Sequence, residues 1–158
     1  MNLAQPSMFD LAYLCQRMRA DEREQWCALN GVQEYDADAA ARQLAALPGI
    51  SFALIGGDSM PLCAGGFVEV RPGVWQSWMV GSEDGWAKDW RAITKACRKV
   101  MDNLLASDRC HRIETLCLAS RELARRWYMK ALGESFEGIA RGWFPDGRDA
   151  AWYAKVKE

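Results

Sequence analysis

The stretch Val74-Trp75-Gln76-Ser77-Trp78-Met79-Val80-Gly81-Ser82-Glu83-Asp84-Gly85-Trp86, which runs on unbroken to Leu105, decides the fold. Val74 to Val80 is rich in aromatic, branched and long apolar residues and stops at Gly81, the mark of a strand. From Trp86 the apolar residues change period. Trp86, Trp90, Ile93, Cys97, Val100, Met101, Leu104 and Leu105 share one helical face, while Lys88, Arg91, Lys95, Lys99 and Asp102 face away. A strand that feeds directly into a long amphipathic helix is expected to place that helix centrally, with the Gly81–Trp86 loop at an open end of a sheet.

Working outward, two further strand-like segments precede this one. Ile50 to Ile55 ends at Gly56-Gly57-Asp58, and Leu62 to Val70 ends at Arg71-Pro72-Gly73, so the three strands form an antiparallel meander. Before them, Ser7 caps a short helix striped by Leu11, Leu14, Cys15 and Met18. Asp21-Glu22-Arg23-Glu24 has capping-box spacing and opens turns through Trp26 to Leu29. Asp36 or Asp38 caps an alanine-rich helix that stops at Leu47 before Pro48-Gly49. After the long helix, His111 to Leu118 reads as a strand. Ser120 then caps a helix whose buried face includes Leu123, Trp127 and Leu132, with Gly133 as its terminating residue. Ser135 to Ala140 and Ala150 to Val156 read as two strands around Phe144-Pro145-Asp146-Gly147. No repeat, linker or low-complexity segment interrupts residues 1–158, so one domain is expected.

Composition narrows the function. A net charge of −1 provides no general attraction to nucleic acid or anionic lipid. No apolar run approaches the roughly 20 residues of a membrane span, and the N-terminus has no signal-peptide pattern. The six cysteines form no CxxC pair and several fall at core positions, which points to reduced thiols and a cytoplasmic setting. One histidine, His111, and no paired thiolates argue against a metal site. Eight tryptophans are many for this length; packing is expected to take most of them, although the residue serves binding surfaces as well.

The order helices, meander, long helix, strand, helix, two strands resembles the GNAT superfamily of acetyl-CoA-dependent N-acyltransferases, a mixed α/β fold. The stretch Ala124-Arg125-Arg126-Trp127-Tyr128-Met129-Lys130-Ala131-Leu132-Gly133 is similar to that superfamily's Ala-Arg-Arg-Leu-Tyr-Glu-Lys-Leu-Gly signature. Arg112-Ile113-Glu114 before it, and Phe136-Glu137-Gly138, Arg141, Asp146-Gly147-Arg148-Asp149 and Trp152-Tyr153-Ala154 after it, match the usual surroundings. The resemblance covers roughly Ile50 to Val156. It implies a sheet split near Trp78, with pantetheine pairing along Trp78, Met79 and Val80. It also implies a pyrophosphate on the backbone of Gly81, Ser82, Gly85 and Trp86 at the helix N-terminus. Acetyl-CoA is then the donor and an amine of a protein or metabolite the acceptor.

Within this frame Tyr128 is the candidate acid for the departing thiolate, although a gap-free count from Gly133 puts Met129 at that position. Glu69 is the candidate base, with Glu114 as a second; either also reads as a solvated strand residue. The superfamily's Gln/Arg-x-x-Gly-x-Gly/Ala loop keeps only Gly81 and Gly85 here. Glu83 and Asp84 stand beside it, where they would repel a phosphate but would suit a helix start. The asparagine that members carry at the start of the penultimate helix is replaced by Ser120-Arg121-Glu122. Arg121, Arg125 and Arg126 read either as a site for a 3′-phosphate or acidic partner or as a solvated face.

Trp75-x-x-Trp78 followed by Gly-Ser-Glu-Asp, with a Lys/Arg-rich long helix, is similar to small GNAT-like proteins of short-tailed phages, including internal virion proteins. That narrower resemblance implies a host-cytoplasm or virion-interior protein. Two functions therefore stand at this stage. One is acetyl transfer from acetyl-CoA to an amine. The other is a catalytically weak or inactive GNAT-like protein that binds a host enzyme or virion component.

Overall fold

In the computed structural model of the protein, which spans residues 1–158, seven strands make one sheet in the order β1-β2-β3-β4-β5-β7-β6. The meander is β2 (Ile50–Ile55), β3 (Pro61–Arg71) and β4 (Val74–Gly81), each antiparallel to the next, with β1 (Asn2–Ala4) on its outer edge. The short β1 carries no periodicity and was not legible in the sequence. β5 (Arg112–Leu118) runs parallel to β4, as a helical crossover requires, and β7 (Ala150–Val156) lies between β5 and β6 (Ser135–Ala140). The expected mixed α/β architecture, with the long helix directly after β4, is the one observed. No helix is long and apolar enough to cross a membrane.

One face of the sheet carries α4 (Glu83–Ala106). Its Ile93, Cys97, Met101, Leu104 and Leu105 pack against Phe52, Phe67, Trp75 and Ile113. The stripe read from the sequence is thus buried from Ile93 onward, but Trp90 stands half exposed. Asp89 has non-helical angles (φ −122°, ψ 20°) and breaks the helix there. The opposite face carries α1 (Met8–Gln16) and α3 (Ala37–Ala45), with Leu11, Leu14 and Cys15 packed on Ala53, Ala64 and Val80. Ser7 and Asp10 form a capping box on α1, and Asp36, not Asp38, caps α3.

Two other caps differ from expectation. α2 (Ala20–Asn30) begins after Arg19 with no side-chain cap, so Asp21 and Glu22 sit inside its first turn with their carboxylates free for other partners. α5 (Glu122–Lys130) begins after Arg121 rather than Ser120, which rotates Leu123 outward to 73% exposure and turns Ala124 inward.

Glycines without side chains let aromatic rings lie flat on the strands. A Cβ on Gly66 would meet the Trp78 indole at 2.6 Å, and one on Gly81 would meet the Trp86 indole at 2.4 Å. Substituting either would force a large aromatic group out of its seat.

Candidate functional site

β4 and β5 pair only over Val74–Gln76 and Arg112–Glu114; beyond that point the strands diverge. At the paired end, charged groups bind one another. Glu114 is buried and accepts from Arg71 and from Arg112 Nε, each at 2.9 Å, while Arg112 also grips Glu137. Glu69 Oε1 accepts the Gly73 amide at 2.9 Å and so clamps the β3–β4 turn. The His111 imidazole lies against Gly73, whose φ of +75° only glycine adopts freely.

At the diverging end the gap widens into a cavity of about 670 Å³ that reaches both faces of the sheet. Phe52, Phe67, Met79 and Met101 line it on the α4 side, and Trp26, Leu44 and Trp78 on the other. Six of the eight tryptophans border it, and four of these, Trp26, Trp78, Trp86 and Trp127, also pack against the core as expected. Trp86 and Trp127 meet edge to face at 5.1 Å, and Trp127 Nε1 donates to Thr94 at 2.9 Å. At the branch point Ser77 Oγ and Thr115 Oγ1 are 2.7 Å apart, and Thr115 donates on to Glu134 Oε1 at 2.6 Å. The second Glu134 oxygen is buried without a partner, and burial pushes this carboxyl up to about 7. Tyr128 also lines the cavity. Burial raises its phenol above the ordinary value, and its hydroxyl has no hydrogen-bond partner in the protein.

The chain roofs this opening with its own residues. The Ser82 amide donates to Leu62 on the β3 side. The Glu83 amide therefore points the other way, into the gap, where the Arg17 carbonyl accepts it at 2.9 Å. Met18 completes an antiparallel bridge with Ser82, so residues 17–19 lie along the free edge of β4. α2 continues across the opening. Glu22 accepts from Trp86 Nε1 at 2.9 Å, and Gln25 Oε1 accepts from both the Leu118 amide and Arg121. Asp21 holds the other side of the Arg121 guanidinium. Burial raises the Glu22 carboxyl above its ordinary value, against the pull of Arg19.

Of the residues named from the resemblance, Tyr128, Trp78, Met79, Val80 and Trp86 line this one cavity, whereas Gly81, Ser82 and Gly85 do not. The sheet does not bring Glu69 or Glu114 there. Both belong to the paired end and are engaged as described, which corrects the expectation of a base at either. Arg121 and Arg125 are not solvated: the first ties α2 down, and the second bonds the Tyr153 hydroxyl and the Ala119 carbonyl. Sequence reading missed Glu22, Gln25, Thr115 and Glu134. The only signal for Glu134 was its place after the helix-ending Gly133, and Glu22 was absorbed in a supposed capping box.

No protein-family model matches the sequence, and no curated protein sequence matches it. Solved structures do match. A GNAT-family acetyltransferase from Bacillus anthracis superposes with a TM-score of 0.75 at 15% identity, over 98% of this chain and 93% of that one. A variant of the spermidine N-acetyltransferase SpeG from Vibrio cholerae gives 0.73 at 10% identity, over 99% and 95%. The enzyme AAC(6′)-Ib in complex with ribostamycin and coenzyme A gives 0.73 at 19% identity, over 99% and 93%. The chain therefore has the GNAT fold.

Whether its residues fit coenzyme A is a question about donors. A pyrophosphate at a helix start needs free backbone amides. Here Ser82 donates to Leu62, Glu83 to Arg17, Gly85 to Ser82 Oγ and Trp86 to the Ser82 carbonyl. Of residues 82 to 86 only the Asp84 amide is uncommitted, and the exposed Glu83 and Asp84 carboxylates flank it. The Trp86 ring covers Gly81. This loop does not fit a pyrophosphate.

Proposed function

We propose that this protein acts by binding, as a GNAT-fold protein that does not employ acetyl-CoA. The observation that supports this reading is that the chain's own acceptors occupy the amides of residues 82–86, with Arg17 seated where a pantetheine-bearing ligand would pair. Displacing those contacts and seating a dianion beside Glu83 and Asp84 costs on the order of several kcal/mol, enough to remove a micromolar affinity. Exposed Trp90, Leu123, Leu29, Leu47 and Trp143 ring the cavity mouths and offer an apolar surface to a protein partner. The resemblance to short-tailed-phage proteins favours a virion component or host enzyme as that partner.

Calorimetric titration with acetyl-CoA tests the reading. A ligand at one hundred times its dissociation constant stabilises a fold by about 2.7 kcal/mol, a shift of several degrees in Tm at this size. We expect no heat of binding and no shift at millimolar acetyl-CoA; saturable binding at tens of micromolar would overturn it. A second reading, acetyl transfer to an amine, rests on the unpartnered Tyr128 hydroxyl in the cavity. Thiol release from acetyl-CoA with spermidine or an aminoglycoside as acceptor, abolished by Tyr128→Phe, would establish it instead.

A further inference from the structure

We infer that the outer face of α4 and α5 is a docking surface for a short acidic segment of a protein partner. The inference rests on the reading of a protein partner above and names that partner's chemistry. Its starting point is an uneven distribution of charge. Residues 90–101 and 123–133 carry seven cations and no carboxylate. The whole chain is −1, so its other 135 residues carry −8. A near-neutral molecule thus holds a concentrated basic zone in an acidic remainder.

The fold brings the two basic runs together. Trp127 Nε1 of α5 donates to Thr94 of α4 at 2.9 Å. Arg91, Lys95 and Arg98 lie within about 6 Å of Thr94 along the α4 axis, and Arg126 and Lys130 lie equally near Trp127 along α5. These five and Lys99 are exposed; Arg125, the seventh, is engaged with Tyr153 and Ala119. None of the exposed six has a carboxylate partner, since Asp102 beside them on α4 is held by Lys155 at 2.8 Å. Asp89 and Glu122 stand only at the N-terminal borders of the two runs. None of the six lines the cavity in the split sheet, so this surface is separate from it. Like charges gathered on adjoining helices repel one another, and an anionic partner relieves that repulsion.

The size of the zone and its surroundings select the partner. Arg91 to Arg98 spans about 10 Å, the reach of roughly three residues of an extended chain. A nucleic acid or an anionic membrane runs on beyond the zone. More than a Debye length of about 8 Å away it loses the attraction of these cations, and it meets the acidic remainder instead. A short acidic segment stays within the basic zone. Met129, 42% exposed on the same helical face as Arg126 and Lys130, adds an apolar contact that a peptide side chain can use and a phosphate cannot.

The test uses the full chain and four probes. Anisotropy follows a labelled 12-residue peptide with six glutamates, its glutamine counterpart and a 12-nucleotide oligothymidylate; co-sedimentation follows vesicles of equal phosphatidylcholine and phosphatidylglycerol. We expect saturable binding of the glutamate peptide at about 50 mM salt, weakened about tenfold at about 200 mM. It should exceed binding of the oligonucleotide, and the glutamine peptide and the vesicles should not bind. Lys95→Glu/Arg98→Glu should weaken the glutamate peptide at least about tenfold, and Lys95→Gln/Arg98→Gln by a smaller factor. Arg42→Glu/Arg141→Glu makes the same change in net charge at exposed positions outside the zone and should leave affinity within about twofold. Binding that both Lys95/Arg98 variants leave intact, an equal loss in the Arg42/Arg141 variant, tighter binding of the oligonucleotide or the vesicles, or no saturable binding of the glutamate peptide would overturn the proposal. None of these readouts involves acetyl-CoA, so failure here is distinct from failure of the calorimetric test above.

Discussion

Trp75 and Trp78 stand three residues apart on one strand and live in different molecules, physically speaking. Trp75 belongs to the paired end of the β4–β5 seam. It is 1% exposed, its indole donates to the Arg109 carbonyl, and it packs between α4 and β5. Trp78 belongs to the diverging end, where it rests on a glycine and looks into open volume. The paired end is close-packed and its carboxylates are matched by arginines. The open end has a cavity, a carboxyl raised by burial, and a roof held by polar contacts. Stability is expected to reside in the first and binding in the second.

That division makes unequal demands on equivalent substitutions. Trp75→Ala removes a fully buried ring from a packed site and should cost about 4 kcal/mol. Trp86→Ala, over the cavity, should cost no more than about 2 kcal/mol, because the ring is only partly buried. Denaturant midpoints measure both, and equal losses would break the comparison.

The two ends should also titrate in opposite senses. Glu134 has a raised carboxyl, about 7 against an ordinary 4.5. The folded state therefore holds its proton more tightly than the unfolded chain. The stabilisation this provides is complete below pH 4.5 and is lost as pH rises through 7, a change of about 3 kcal/mol. At the paired end Arg112 lowers the Glu137 carboxyl, so that contribution is present above pH 4.5 and fades on acidification. Glu134→Gln should flatten the fall between pH 5 and 7, and an unchanged profile would show that the open end is wetter than described.

The smallest effect concerns the roof. Gln25→Ala leaves the Leu118 amide without its acceptor and should cost about 1 kcal/mol. Hydrogen exchange offers the sharper readout. Amides of α2, whose only fully buried residue is Ala28, should exchange well before those of β3, and faster still in the variant. Equal protection of the two elements would mean that the roof is part of the core.

Most of the paired end was legible in the sequence because its signals are local. Strand boundaries at Ile50–Ile55, Ser135–Ala140 and Ala150–Val156 agree with the structure, since turn residues bracket each run. The open end resisted for an equally physical reason. Which carboxylate reaches Trp86, or which amide of residues 82–86 remains free, depends on partners far along the chain. No periodicity marks Glu22 or Gln25, and Asp21-Glu22-Arg23-Glu24 mimics a cap that the backbone does not use. Trp86, Tyr128 and Trp78, named through the resemblance, line the cavity, while no local signal pointed to the roof above them.

The polar ties of α2 also set an order of events. Glu22 meets Trp86 across 64 residues, Gln25 meets the Leu118 amide across 93, and Asp21 meets Arg121 across 100. Each tie closes a long loop for little enthalpy, and such contacts form only after other pairings have shortened the path between them. As the chain leaves the ribosome, α1, α3 and the meander can assemble while α2 holds only its near partners, such as Gln43, which accepts from Trp26. The cavity is therefore roofed last. A truncation between Ala106 and Arg121 should yield a chain that retains its antiparallel half but lacks the ties of α2 to the Leu118 amide and Arg121, and so exposes several tryptophans to water together.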